Sequence, residues 1–239
     1  MRRAFSASML TLLAATLAWA GKEPWKSKPY QQWNSEDLQE ILYQSPWSHE
    51  VLIERTWVPY VNKDLPAQPV NRSSRPVPSS GGTAAQSAQG GEAHFFVSWV
   101  SSRVMRAAMA RRDVLGSRRS EAEAYKDVDR PLPDYWIAVA GTDMTPFQKV
   151  DEAFLQAHVF LQLKRTKQKI LPSKVTYERG PDGQSVTMVA IYFPNKTSAG
   201  EPSIPPEEKI AQFTCPIGNI SLQANFEIQK MADEKGPDL

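Results

Sequence analysis

Ile220-Ser221-Leu222-Gln223-Ala224-Asn225-Phe226-Glu227-Ile228 decides the fold class. Most odd positions are polar and every even position is apolar, a period of two. That pattern belongs to a strand with one face in a core and the other in water. Residues 210–215 carry strand character just before it, across a Pro-Gly-Asn turn at 216–219, so the two form a hairpin. Upstream, residues 174–178 and 186–193 flank Pro181-Asp182-Gly183, a second hairpin turn. Val159, Leu161 and Leu163 alternate with Phe160 and Gln162 in a strand expected from His158 onward.

The first half mixes helices into this pattern. Asn34 caps a helix with Glu36 and Asp37 in its first turn and Leu38, Ile41 and Leu42 on one stripe, and Ser45-Pro46 ends it. Val51, Ile53 and Trp57 share one face of a strand. His94 to Val100 reads as a buried central strand, apolar on both faces. Ser101-Ser102 then caps a helix that Gly116 stops. On its wheel Arg112 falls within the apolar arc. A short helix is expected around 122–125, and a strand over 135–140. Thr145-Pro146-Phe147-Gln148 starts another helix, expected to run to about Gln156. The class is α+β: a largely antiparallel sheet, about three helices on one face and a hairpin-rich C-terminal half.

Arg2 and Arg3, the apolar run from Met9 to Trp19 and the small-x-small site Ala18-Trp19-Ala20 make residues 1–20 a signal peptide, cleaved between Ala20 and Gly21. The run is too short to span a bilayer, so the expected localisation is periplasmic or extracellular. Arg2-Arg3-Ala4-Phe5 also fits part of the twin-arginine export motif, which leaves two export routes open. Residues 21–58 form an N-terminal arm, helix and first strand. Residues 59–93 are a low-complexity insert of Pro, Ser, Gly, Ala and Gln, expected to be disordered. Residues 94–230 are the main α+β domain, β-rich from 158, and 231–239 a polar tail expected to fray.

The whole chain has a formal charge of +2. Losing Arg2 and Arg3 with the leader leaves basic and acidic side chains equal in number. No global field then attracts nucleic acid, and none is expected as a partner. Cys215 is the only cysteine, so packing without an internal disulfide must hold the fold. No transmembrane segment is expected.

Chemistry-bearing patterns are sparse. His49, His94 and His158 have no ligand spacing among themselves, so neither metal nor cofactor is expected. Cys215 ends a strand and reads as a small buried hydrophobe. Ser101 and Ser102, at a strand-to-helix junction, are hydroxyl candidates that capping explains equally. With Asp143 and His94 they make up the alternative of a periplasmic hydrolase near the 94–102 and 141–143 junctions. Asp143 paired with Glu54 or Asp134 is a further carboxylate option, against a plain turn residue.

Two basic concentrations remain. Residues 103–119 hold six arginines, among them Arg103, Arg106 and Arg111, against one aspartate. Residues 164–174 hold Lys164, Arg165, Lys167, Lys169 and Lys174 and no acid. They are either solvated faces or binding sites for an anionic envelope component or acidic partner. Trp25, Tyr30, Trp33 and Trp47 are either sugar-stacking platforms or anchors for the N-terminal arm.

Lys28-Pro29-Tyr30-Gln31-Gln32-Trp33 with Ser45-Pro46-Trp47, then Val97-Ser98-Trp99-Val100-Ser101-Ser102 and Arg106, resembles a group of uncharacterised exported bacterial proteins. The resemblance spans most of the mature chain outside the insert. It implies export and transfers no catalytic residue. The expected function is a non-enzymatic exported binding module.

Overall fold

The computed structural model describes residues 23–54 and 92–239. The leader, the bulk of the insert and the continuation of the first strand to Trp57 lie outside the described residues. Helical segments are α1 (Pro24–Ser27), a 3₁₀ turn (Tyr30–Gln32), α2 (Ser35–Gln44), α3 (Arg103–Leu115), α4 (Glu121–Ala124), α5 (Thr145–Gln148) and α6 (Glu152–His158). The strands are β1 (Ser48–Glu54), β2 (Glu92–Trp99), β3 (Asp134–Gly141), β4 (Phe160–Leu163), β5 (Lys169–Ile170) and β6 (Lys174–Arg179). They continue with β7 (Val186–Pro194), β8 (Ile210–Ile217), β9 (Ile220–Glu227), β10 (Ala232–Asp233) and β11 (Gly236–Pro237).

The α+β class and the antiparallel pairing hold. The strands divide between two main sheets, one in the order β1-β2-β3-β7-β6 and one in the order β5-β4-β8-β9, with β10-β11 as a separate hairpin. Register puts Val97 opposite Val139 and Val139 opposite Val189, with Trp99, Ile137 and Ile191 in the next row. These side chains share one face and are fully buried. The second sheet answers with Leu161, Leu163, Phe213, Cys215, Leu222 and Phe226. Trp99 meets Phe226 edge-on at 5.0 Å, and Phe193 meets Phe213 at 6.5 Å, so the two inner faces pack on each other. Each large side chain buried here contributes about 1.5–3 kcal/mol.

The helices serve both faces of the first sheet rather than one. Tyr43 of α2 meets Phe96, which points away from the inter-sheet core, at 5.2 Å. Phe147 of α5 meets Phe95, its neighbour on the inner side, at 6.2 Å. Successive strand residues point to opposite faces, so these contacts lie on opposite sides. Trp25, Trp33 and Trp47 are buried, with Trp25 against Trp47 at 5.5 Å, which makes them anchors of the arm.

Several expected boundaries move for local reasons. The strand expected to open at His94 starts at Glu92, taking the last two residues of the insert. The helix expected from Thr145 to Gln156 is two helices. The Asp151 carboxylate accepts the Phe154 N–H at 2.6 Å and restarts the chain as α6, and Met144, not Thr145, occupies the cap of α5. His158 closes α6 instead of opening a strand. Among the described residues no helix is long and apolar enough to cross a membrane.

The largest correction is the tail. Residues 231–239 are seated, not frayed: Met231 is fully buried and Asp238 nearly so. The Asp238 carboxylate accepts the N–H groups of Arg103 at 2.7 Å and Val104 at 2.9 Å, two orphan donors at the start of α3. Its carbonyl accepts the Trp47 indole N–H at 2.7 Å, while Arg103 donates to Asp233. The tail thus ties α3 to the β1 entry. Asp238→Ala is expected to lower stability by roughly 1–3 kcal/mol, the range for losing a charged helix cap whose donors stay buried. A lower urea midpoint at unchanged slope would show it; an unchanged midpoint would mean the tail does not hold α3.

Candidate functional site

The sequence-level candidates divide by geometry. Thr142 donates its N–H to the His94 carbonyl at 2.9 Å, and the Thr142 hydroxyl accepts the His94 N–H at 3.2 Å. This fixes the 141–143 turn at the start of β2. Ser101 lies past the other end of that strand, where its N–H reaches the Trp136 carbonyl at 3.2 Å. From His94 to Trp99 the strand runs roughly 17 Å. The Ser101, Ser102, Asp143 and His94 constellation therefore does not share a cleft, a correction to the hydrolase alternative.

Each member has local work instead. Ser102 caps α3 by accepting the Met105 N–H at 3.1 Å. Ser101 Oγ is buried, with no partner among the described residues. Asp143 accepts the Thr145 N–H at 3.0 Å, the turn geometry expected of it. His94 Nδ1 pairs with Glu50 at 2.6 Å on the surface. Asp134 opens β3 and Asp143 lies two residues past its other end, roughly 23 Å of strand away, so they form no catalytic pair. The Glu54 side chain lies outside the described residues. Gly141 is a packing glycine: a Cβ there would stand 2.7 Å from the Phe95 ring and 2.8 Å from the His94 carbonyl.

No group of three or more His, Cys, Asp or Glu that could hold a metal occurs among the described residues. Cys215 is fully buried, and desolvation pushes its thiol far above the ordinary range. His158 sits against Phe154 and its carbonyl on α6. His49 lies on the inner side of β1, edge-on to Phe226 at 4.9 Å, with Nε2 unpartnered among the described residues.

Three arginines of the first basic concentration turn inward, while Arg112, Arg118 and Arg119 stay exposed, the last two paired with Asp113. Arg103 pairs with Asp233. Burial works against its charge, yet the hydrogen bond and charge of Asp233 outweigh it and raise the pKa. Arg106 donates to the carbonyls of Ser101, Asp127 and Arg130 at 2.8–3.1 Å, and burial lowers its pKa. Arg111 donates to the Trp33 carbonyl at 2.9 Å and lies 3.5 Å from Glu121. These three staple the N-terminal arm, α3 and the following loop together.

The second concentration stays outward. It forms the turn between β4 and β5. Lys167 N–H donates to the Leu163 carbonyl and Leu163 N–H to the Gln168 carbonyl, both at 2.9 Å. Lys167 adopts a left-handed φ of 62° to close the turn. Beneath it lies Glu208, only 1% exposed, whose carboxylate accepts the Arg165 N–H at 3.2 Å and the Lys209 N–H at 3.1 Å. The same turn carries Lys164, Arg165, Lys167 and Lys169. Lys164 donates to Gln212 at 2.7 Å, Arg165 pairs with Glu207 and Lys169 lies 3.9 Å over the Phe160 ring. Lys167 is exposed and makes no side-chain contact among the described residues. Lys174, the fifth cation, is on β6 of the other sheet, over Tyr192.

The sequence reading missed Glu208, which sits two residues after Pro206 and far from 165 along the chain. Its only sequence signal is an acid two residues before a strand.

No protein-family model, curated protein or solved structure matches this chain.

Glu208→Ala should loosen the turn: the Arg165 and Lys209 amides then exchange with deuterium faster than in the parent, while β9 amides keep their protection. Equal protection throughout would deny Glu208 that anchoring part. For His49, burial disfavours the imidazolium and lowers the pKa from its ordinary 6.5, against the opposing pulls of Glu227 and the Pro46 backbone. The unfolded chain therefore takes up that proton first. Stability falls as pH drops below about 6.5 and levels once the folded His49 also charges. Melting temperatures from pH 8 to 5 should decline less steeply for His49→Phe, which keeps the ring contact with Phe226.

Proposed function

We propose that the protein is an exported, non-enzymatic binding module that holds an anionic envelope component or partner through the turn between β4 and β5. The observation that carries this reading is one of placement. Four cations lie within six residues on a turn pinned by a buried carboxylate, and Lys167 and Lys169 among them meet no acid among the described residues, whereas Arg103, Arg106 and Arg111 of the other basic segment are bonded to this chain's own groups. Fixed backbone beneath outward-facing cations suits recognition of a negatively charged surface. The cost of ordering the turn is met in folding, not in binding. Export rests on the leader of residues 1–20, and places the partner in the periplasm or outside the cell.

The hydroxyl and carboxylate candidates at the strand ends give an enzyme reading no shared site, so the binding reading takes precedence. A binding surface of this kind acts through Coulomb attraction, weakened by solvent and salt.

Replacing Lys164, Arg165, Lys167 and Lys169 together by Ser is expected to abolish most co-sedimentation of the protein with isolated cell envelopes. Parent binding should fall steeply as salt rises. Retention of the quadruple variant at parental levels would end the proposal.

A further inference from the structure

The second sheet has an outer face as well as an inner one, and register fixes what lies on it. Gln162 stands opposite both Lys169 of β5 and Gln212 of β8, and Gln212 stands opposite Asn225 of β9. The next row runs from Phe160 to Thr214 to Gln223. Lys164 follows Gln162 by two residues and so points to the same side. Leu161, Leu163, Phe213, Cys215, Leu222, Ala224 and Phe226 occupy the alternate positions and are buried against the first sheet. One continuous outer face therefore carries four side-chain amides, two hydroxyls from Thr214 and Ser221, and the two lysines that flank the basic turn, together with Phe160, Ile210 and Pro216 and with Glu227, whose charge is paired with Lys230 at the far edge on β9.

The amides are partly engaged with one another and with a lysine. Lys164 Nζ donates to Gln212 Oε1 at 2.7 Å, and Gln212 Nε2 reaches Gln223 Oε1 at 3.4 Å. Gln223 and Asn225 are exposed, and Gln162 is half-buried. An amide both donates and accepts, and so do the hydroxyls. The face offers neutral hydrogen-bonding groups repeated at the strand spacing of about 4.8 Å, with positive charge at the β4–β5 end.

We infer that this face is a site for an anionic polysaccharide, a strand of uronic-acid-type sugars laid across β4, β8 and β9. Hydroxyl groups of the sugar meet the amides of Gln162, Gln223 and Asn225, and its carboxylates meet Lys164, Lys169 and the turn. Three features select this occupant. The cations call for negative charge. The amide rows suit a ligand that is itself a mixture of donors and acceptors. Its apolar members, Phe160, Ile210 and Pro216, are half-buried and stand in separate rows, so they do not gather into the apolar centre that a protein partner's interface core requires. Single-stranded nucleic acid would need open stacking platforms, and the sole aromatic ring here, Phe160, is covered by Lys169. The inference rests on the proposed binding function and specifies its ligand.

The test is affinity electrophoresis of the full mature chain in gels containing alginate, neutral dextran or single-stranded DNA. Alginate is expected to retard the parent, dextran not at all, and DNA less than alginate. Gln162→Ala, Gln223→Ala and Asn225→Ala combined should weaken alginate retardation by about tenfold or more, as the loss of several modest hydrogen bonds implies. Those positions face solvent, and an unchanged melting temperature confirms that the variant folds.

Parental retardation of the triple-amide variant overturns the polysaccharide inference. If the quadruple Ser variant still loses envelope binding, the basic-turn reading survives that result. DNA retardation equal to or above that in alginate overturns the inference in favour of a generic polyanion, and no retardation of the parent in alginate overturns it outright.

Discussion

The structure depends on two antiparallel sheets burying their inner faces against each other without a covalent cross-link. Trp99 on Phe226 and Phe193 on Phe213 are ring contacts made across this interface. Cys215 lies within it as a packing residue, its thiol too desolvated to act as a nucleophile. Every other feature is an adjustment around that core. His49 is drawn partly into it by the edge of Phe226, and α5 and α6 close one of its ends through Phe147 and Leu155. The hydrophobic gain scales with the area removed from water, so the tight alternation of β8 and β9 matters more than any single ion pair.

The tail shows how polar groups organise the periphery of such a core. A helix that begins inside a protein leaves backbone N–H groups needing acceptors. Ser102 supplies one for α3, and Asp238, arriving from 135 residues further along the chain, supplies two. Asp238 is buried enough that desolvation raises its pKa, against the pull of the backbone N–H groups and Arg103. The Arg103–Asp233 pair beside it and the Trp47 indole make the tail part of the domain. Polarity of the residues from 231 onward is thus a sign of long-range partners as readily as of disorder.

That contrast marks where the sequence was legible. Local rules located α2 by Asn34 and its capping box with Asp37, α3 by Ser102 and Gly116, and both C-terminal hairpins by alternation and turn residues. Those signals are local in the sequence. The split of the strands into two sheets was not legible, because period-two patterns state that a strand has an inner face but not which sheet it joins. The same limit hid the partition of the basic residues. Arg103 and Lys164 look alike in sequence; only the fold sets one beside Asp233 and leaves the other on an open face. Glu208 was invisible for the same reason, its donors being brought to it by the β4–β8 pairing.

The outer face of the second sheet follows from the demand placed on its inner one. Alternation that sends Leu222, Ala224 and Phe226 inward necessarily sends Ser221, Gln223 and Asn225 outward, and pairing with β8 and β4 lines them up with Gln212 and Gln162. Nothing in core packing dictates that these outward residues be amides. Charged or threonine-rich faces would solvate a sheet equally well, and Asn is among the residues that strands disfavour. Its place in the middle of β9, beside Gln212 and in line with the lysines of the turn, is thus free of any demand from the core. In the proposed reading that freedom is used for hydrogen bonding to a ligand, whose sign would be set by the cations bordering the same rows.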